Sequence, residues 1–399
     1  MIGAEESQRA DVLQFDRPLD LERMRRERHR RLIEQMRAQD VDVLLLASPS
    51  NVVYATGAVV PAADAARAAH RRAVTIVTAD GAPPALYMPN ADGVPAEFPR
   101  EQLCGPLDLE WDDDARELVS ALPGGRLAVD DLTMPLWAAL SGREVIDSGG
   151  VVASAKVIKT ADEIECIRRA QAINEAAIAD VETMARPGIK ATDLSGRFLR
   201  KIFELGASSN TVDPIWQVME RDPADRPFSM TGDLVFPTPT TPRELAQDDL
   251  VWVDNGINYC GYQSDYGNAW IIGREPNARE REHYTAWRAV LDRVLGAMRP
   301  GASCADLTTA AGEVFGRRPW LPHLYIGHGT GTDSAELPYV GTDLGAEFDA
   351  SFLLAPGMVL VLEPITWEDG VGGYRAEEIV AVTADGYELL SHVGPGAWN

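Results

Sequence analysis

The stretch 250–272, Leu-Val-Trp-Val-Asp-Asn-Gly-Ile-Asn-Tyr-Cys-Gly-Tyr-Gln-Ser-Asp-Tyr-Gly-Asn-Ala-Trp-Ile-Ile, decides how the rest of the chain is read. It opens on an apolar run, Leu250 to Val253, that ends in Asp254-Asn255-Gly256, and it closes on a second apolar run, Ala269 to Ile272. Apolar runs separated by glycine- and asparagine-rich turn chemistry predict a β-hairpin. Asp254 and Asp265 stand eleven residues apart, so each strand carries one carboxylate and the two are expected to face each other.

The pattern recurs toward the C-terminus. Gly357-Met358-Val359-Leu360-Val361-Leu362 predicts a strand that runs into Glu363. Gly372-Gly373-Tyr374-Arg375-Ala376-Glu377 leads into Ile379-Val380-Ala381-Val382-Thr383, which predicts a second hairpin with a second pair of carboxylates. Between the hairpins, His328 sits in Gly327-His328-Gly329-Thr330-Gly331, where glycines let the backbone approach a ligand. A single Asp or Glu at a strand end is ordinarily a solvated turn residue. Four of them converging in one core would repel one another unless cations neutralised them. Four carboxylates and an imidazole are hard or borderline donors. They suit manganese, iron, cobalt or zinc and do not suit a thiolate-type structural zinc. The five residues Asp254, Asp265, His328, Glu363 and Glu377 are therefore expected to hold two divalent metal ions.

With these motifs in place, the chain resembles the pita-bread metallohydrolases: aminopeptidase P, prolidase and methionine aminopeptidase, with creatinase as a metal-free relative. The resemblance rests on Asp254-Asn255-Gly256, Gly261-Tyr262-Gln263-Ser264-Asp265, Gly327-His328-Gly329-Thr330-Gly331, Glu363-Pro364 and Gly373-Tyr374-Arg375-Ala376-Glu377. It covers nearly the whole chain, because Lys159-Thr160-Ala161-Asp162-Glu163-Ile164-Glu165-Cys166-Ile167-Arg168 is similar to the opening helix of the family's catalytic domain. It implies that all five ligands bind a pair of metals, with Glu377 bridging both. It also implies that Glu363 shuttles a proton at a metal-activated water as that water attacks an amide or peptide carbonyl. Arg375 is expected to orient a carboxylate ligand.

The departures narrow that expectation. Family peptidases carry an imidazole seven residues after the ligand histidine, where this chain has Ala335 followed by Glu336. They carry another about seventeen residues before the first aspartate, near Pro237 here. His323 is the one spare candidate for a catalytic imidazole. Trp216, Tyr325, Tyr339 and Trp367 are candidates to line a pocket, or else to pack in a core. The segments 21–32 and 48–56 are also similar to the dimethylsulfoniopropionate lyase branch. That branch has an extra aspartate where this chain has Gly256 and a catalytic tyrosine where it has His323, so lyase activity does not carry over. The leading expectation is a hydrolase acting on a small-molecule or short-peptide substrate. The alternative is a non-peptidase enzyme on the same scaffold.

Composition agrees. The chain has 399 residues and is 45% hydrophobic, enough for proper cores, and its net charge of −24 argues against nucleic acid or an anionic membrane as a partner. Cys104, Cys166, Cys260 and Cys304 show no metal-type spacing, which suggests a reduced, cytoplasmic setting. The N-terminal residues lack an apolar core, so neither a signal peptide nor a membrane span is expected. A homodimer is the expected assembly. Strands at Val43–Ala47, Ala73–Val77 and Leu127–Val129, alternating with helical stretches such as Leu21–Gln39, predict an α/β N-terminal domain over 1–155. The capping box Thr160-Ala161-Asp162-Glu163 opens an α+β catalytic domain over 156–399. Within it, Arg186-Pro187-Gly188 and Arg299-Pro300-Gly301 each run, four residues on, into Asp-Leu, an echo that predicts a pseudo-two-fold duplication with a site between its halves.

Overall fold

The computed structural model describes residues 13, 15–59, 72–221, 240–315, 325–368 and 370–391. The chain divides into two compact units, Leu19–Asp162 and the chain from Glu163 onward together with the N-terminal segment up to Pro18. Among the described residues, no helix is long and apolar enough to cross a membrane.

The first unit is built on one six-stranded sheet. Its elements are α1 (Leu21–Ala38), β1 (Val43–Leu46), α2 (Pro49–Thr56), β2 (Val74–Thr78), β3 (Ala85–Tyr87), β4 (Leu103–Cys104), α3 (Asp112–Ala121), β5 (Leu127–Val129), α4 (Met134–Ala139), β6 (Val145–Asp147) and α5 (Gly149–Lys156). The strand order is β4-β3-β2-β1-β5-β6. β1 is buried throughout, as its unbroken Val-Leu-Leu-Leu run requires of a central strand. Val43 and Leu45 enter one apolar cluster, while Leu44 and Leu46 enter another on the opposite face. Helix α1 starts where the Asp20 side chain accepts from the Arg23 amide.

The second unit carries the duplication. Its first half contains α6 (Ala161–Glu182), α7 (Ala191–Glu204), β7 (Ser209–Asn210), β8 (Ile215–Val218), β9 (Leu250–Asn255), β10 (Ile257–Tyr259), β11 (Tyr262–Gln263) and β12 (Tyr266–Ile271). Its second half contains α8 (Ala278–Ala297), α9 (Cys304–Phe315), β13 (Gly327–Gly329), β14 (Glu336–Val340), α10 (Gly345–Ser351), β15 (Val359–Leu362), β16 (Ile365–Glu368), β17 (Gly372–Arg375), β18 (Glu378–Val382) and β19 (Tyr387–Leu389). Each half thus opens with two helices and continues in strands, with α10 inserted among those of the second.

The Arg-Pro-Gly echo is a real structural repeat. Gly188 and Gly301 both take positive φ, 84° and 82°, which a side chain would resist. Gly188 donates to the Leu245 carbonyl at 2.8 Å, and Gly301 donates to the Leu354 carbonyl at 2.8 Å. The amides of Leu245 and Leu354 return the bond to Ile189 and Ala302, each at 2.8 Å. The isolated bridges Lys190–Glu244 and Ser303–Leu353 correspond in the same way. The sheet β12-β9-β8 of the first half has its counterpart in β18-β15-β13 of the second. The result is an α/β N-terminal unit followed by an α+β pita-bread unit with internal duplication.

Candidate metal centre

Both hairpins bend partway along, and the carboxylates sit at or beside the bends. In the first, β9 pairs with β12 so that Asn255 faces Tyr266 and Asp254 faces Gly267. Beyond the bend, β10 pairs with β11 in a different sheet, with Asn258 facing Gln263. Asp265 lies at the bend, just ahead of β12, so the aspartates do not face each other as the spacing suggested. With the register unbroken, each aspartate faces a glycine and the two lie diagonally on one face. The reason is room. A Cβ at Gly256 would lie 2.9 Å from the Ser264 carbonyl, so the strands cross too closely there for a side chain.

In the second hairpin, β15 pairs with β18 with Leu362 facing Glu378, and β16 pairs with β17 with Ile365 facing Arg375. The common register carries Glu363 opposite Glu377. At this point the strands part. The Glu363 amide donates to the Ile326 carbonyl at 2.9 Å, and the Glu377 amide donates to the Gly267 carbonyl at 3.2 Å. One arm is thereby tied to the strand of His328 and the other to the first hairpin.

Gly267 makes the junction possible. A Cβ there would lie 2.5 Å from Glu377 Oε1 and 2.6 Å from its Cδ, so the missing side chain is the space the carboxylate occupies. Residue pairing brings three carboxylates together: Asp254, Asp265 and Glu377 offer oxygens that all lie within 4.8 Å of one another. His328 Nε2 lies 3.7 Å from Asp265 Oδ2 and 3.4 Å from Glu363 Oε1. Its Nδ1 lies 2.9 Å from the Gly329 carbonyl, which can only accept. Nδ1 therefore carries a proton toward that carbonyl, and Nε2 is the ring atom turned toward the carboxylates. The flanking glycines are required, because a Cβ at Gly327 would lie 2.1 Å from the Val361 carbonyl.

Arg375, 5% exposed, is enclosed by this cluster. Its guanidinium donates to Asp254 Oδ2 at 3.0 Å and to Glu363 Oε2, and it lies 2.8 Å from Glu377 Oε1. One arginine cannot neutralise four acids, of which Glu377 is buried and Asp254, Asp265 and Glu363 are partly buried. Burial, followed by the charges of Asp254 and Glu363, pushes Asp265 well above the usual carboxylate range. Burial, followed by Asp265 and Asp254, does the same to Glu377. Asp254 is raised by burial against the opposing pull of Arg375. Burial would lower Arg375, but Glu377, Glu363, Asp254 and Asp265 together hold it above its ordinary value. Glu377 Oε1 is ion-paired with Arg375 at 2.8 Å, while its Oε2 has no hydrogen-bond donor among the described residues. A buried carboxylate oxygen without a donor, an excess of negative charge and an imidazole nitrogen turned toward the carboxylates form a donor set that fits divalent cations.

Of the residues singled out in the sequence, Asp254, Asp265, His328, Glu363, Glu377 and Arg375 come together. His323 and Pro237 lie outside the described residues. Tyr325 and Tyr339 line a cavity of about 330 Å³ beside His328 and Glu363. Trp216 and Trp367 are core residues instead. Trp216 stacks on Trp270 with centroids 5.8 Å apart, and Trp367 meets Trp252 edge-on at 5.9 Å. Two contributors were missed. Gly267 reads as an ordinary strand glycine. Asn174, fully buried on α6, donates to the Asn255 carbonyl and to Ser264 Oγ and so fixes the first bend. The signal for Asn174 was an asparagine inside a long helix, where it is a poor helix former.

Comparison with known proteins agrees with this geometry. Residues 165–384 match the model of metallopeptidase family M24, and residues 28–168 match the creatinase/prolidase N-terminal domain. An uncharacterized peptidase of Staphylococcus saprophyticus is 25% identical over 374 residues, covering 90% of this chain and 97% of the relative. The crystal structure of the prolidase from Pyrococcus horikoshii superposes with a TM-score of 0.70 at 22% identity, covering 92% of this chain and 99% of that one. An Xaa-Pro dipeptidase from Bacillus anthracis gives 0.70 at 20% identity, covering 93% and 98%. The M24 match spans more than half of the chain and contains every residue of the carboxylate–imidazole cluster, so this protein belongs to metallopeptidase family M24 and is a metal-dependent hydrolase.

Proposed function

We propose that the protein is a dinuclear hydrolase that cleaves an amide or peptide bond of a small substrate, with 156–399 as its catalytic unit. Asp254, Asp265, His328, Glu363 and Glu377 are the proposed ligands. The observation that carries the reading is the convergence of three carboxylates within 4.8 Å, with His328 Nε2 3.4 Å from the fourth. Bound there, two divalent cations would polarise the scissile carbonyl and lower the pKa of an attacking water. Glu363 is the proposed proton carrier, because it borders both the cluster and the open cavity. Arg375 holds Asp254, Glu363 and Glu377 in orientation.

The substrate is proposed to differ from an ordinary Xaa-Pro peptide. Ala335 stands where family peptidases place an imidazole, and losing one transition-state donor typically costs about 10²–10³ in rate. The test has two stages. Metal analysis of the purified protein should give two equivalents per chain. A steady-state panel of Xaa-Pro di- and tripeptides should then give weak turnover. A kcat/KM above about 10⁴ M⁻¹s⁻¹ on any of them would restore a plain prolidase or aminopeptidase P reading.

A further inference from the structure

The cavity beside His328 and Glu363 is lined by Tyr325, Tyr339, Asp343 and Leu344, and none of its described lining residues is a lysine or an arginine. Arg375 does not line it and is engaged by three carboxylates. Tyr339 is the cross-strand partner of His328, which puts its ring on the face of the sheet that carries the imidazole. Tyr325 is held at a positive φ of 49°, a conformation that a bulky side chain resists, by the hydrogen bond its backbone N–H donates to the Gly341 carbonyl at 2.8 Å. The fold thus spends backbone strain to keep this ring at the cavity. Burial, and next the charge of Asp343, raise the Tyr325 phenol, so Asp343 acts on the same space.

Aromatic faces attract cations and a carboxylate adds to that attraction, whereas a substrate carboxylate would meet Asp343 and Glu363 without a described cationic partner. Resting on the hydrolase reading above, we infer that the substrate is an amide carrying a quaternary ammonium group, which lodges against Tyr325, Tyr339 and Asp343 while the amide faces Glu363. Water adds across the C–N bond, giving the free acid and the amine.

The test separates binding from turnover in the metal-loaded protein. NMR titration compares choline with its neutral isostere 3,3-dimethylbutan-1-ol. Choline should bind about tenfold more tightly, Asp343→Asn should remove most of that difference, and Asp343→Glu should restore it. In parallel, matched amides with ammonium, neutral or carboxylate tails should rank in that order by kcat/KM. Asp343→Asn should collapse the ammonium-to-neutral ratio through KM. Equal binding of choline and the alcohol, or an unchanged choline preference in Asp343→Asn protein of native melting temperature, overturns the inference. Selective choline binding with no amide hydrolysed upholds the ammonium site and overturns the hydrolase reading instead.

Discussion

Gly267 is where the two carboxylate pairs meet, and a single methyl group there tests the geometry. In Gly267→Ala the new Cβ would fall 2.5 Å from Glu377 Oε1, and the backbone on either side is laddered to β9, so the carboxylate must move. We expect metal affinity to fall by about 10–100-fold, the usual effect of displacing a group that positions a ligand, measured as metal bound per chain against a competing chelator. Unchanged stoichiometry and affinity would show that Glu377 is not a ligand. Glu363→Gln probes the proton instead. The amide cannot accept it, so turnover should fall by at least about 10² while the melting profile stays native; activity within about tenfold of the parent would place proton transfer elsewhere. The carboxylates and His328 were legible because each stands in a short local pattern of apolar run, turn and acid. Gly267 was not, because its role exists only relative to Glu377, far along the chain.

At the scale of elements, the bends matter more than the strands. Each hairpin leaves one sheet and enters another, and the side chains at the turning points face inward together. The hairpins themselves were readable from period and turn chemistry. Their bending was not, because it follows from contacts made by distant elements. Asn174 of α6 is one of these, holding the Asn255 carbonyl and Ser264 Oγ from a fully buried position. Replacing it by alanine removes two buried hydrogen bonds, although Ser264 Oγ keeps the Ile257 amide as a donor; the protein should lose about 1–3 kcal/mol in urea unfolding, and metal retention should weaken in the same variant. A loss of stability with metal affinity intact would mean that α6 supports the fold without shaping the site. The Arg-Pro-Gly echo was legible as nine residues of sequence. That it reproduces the same backbone hydrogen bonds in both halves was not.

For the whole molecule, the clustered acids tie stability to pH and, on the proposed ligand set, to metal. Asp265 and Glu377 are raised in the folded, metal-free chain. A carboxyl with a raised folded pKa contributes stability below its unfolded value, near pH 4, and that contribution is lost as pH rises through the folded value. Chelated protein should therefore melt at a lower temperature at pH 8 than at pH 5.5. On the proposed ligand set, metal would compete with protons for the same oxygens, so its stabilisation should grow over that interval and the gap between loaded and chelated protein should widen. Calorimetry checks this directly, and a gap that narrows toward pH 8 would contradict it. At a free-metal concentration 100-fold above Kd, the gain is about 2.7 kcal/mol. Glu280, held down at about 2 by its Arg274 partner against the cost of burial, is ionised throughout this window and adds no slope.

The duplication has one more consequence, best put in terms of polymer topology. Asp254 and Asp265 belong to one half of the second unit, and Glu363 and Glu377 belong to the other. On the proposed reading, an ion shared between them joins points 98 to 123 residues apart along the backbone. Topologically that is a cross-link, and closing a loop of such length restricts the unfolded ensemble by about 4.7 kcal/mol in the chain-entropy model. Unlike a disulfide, this staple needs no oxidant and can be withdrawn by a chelator, so the two halves would be fastened reversibly, at a strength set by the free metal around them.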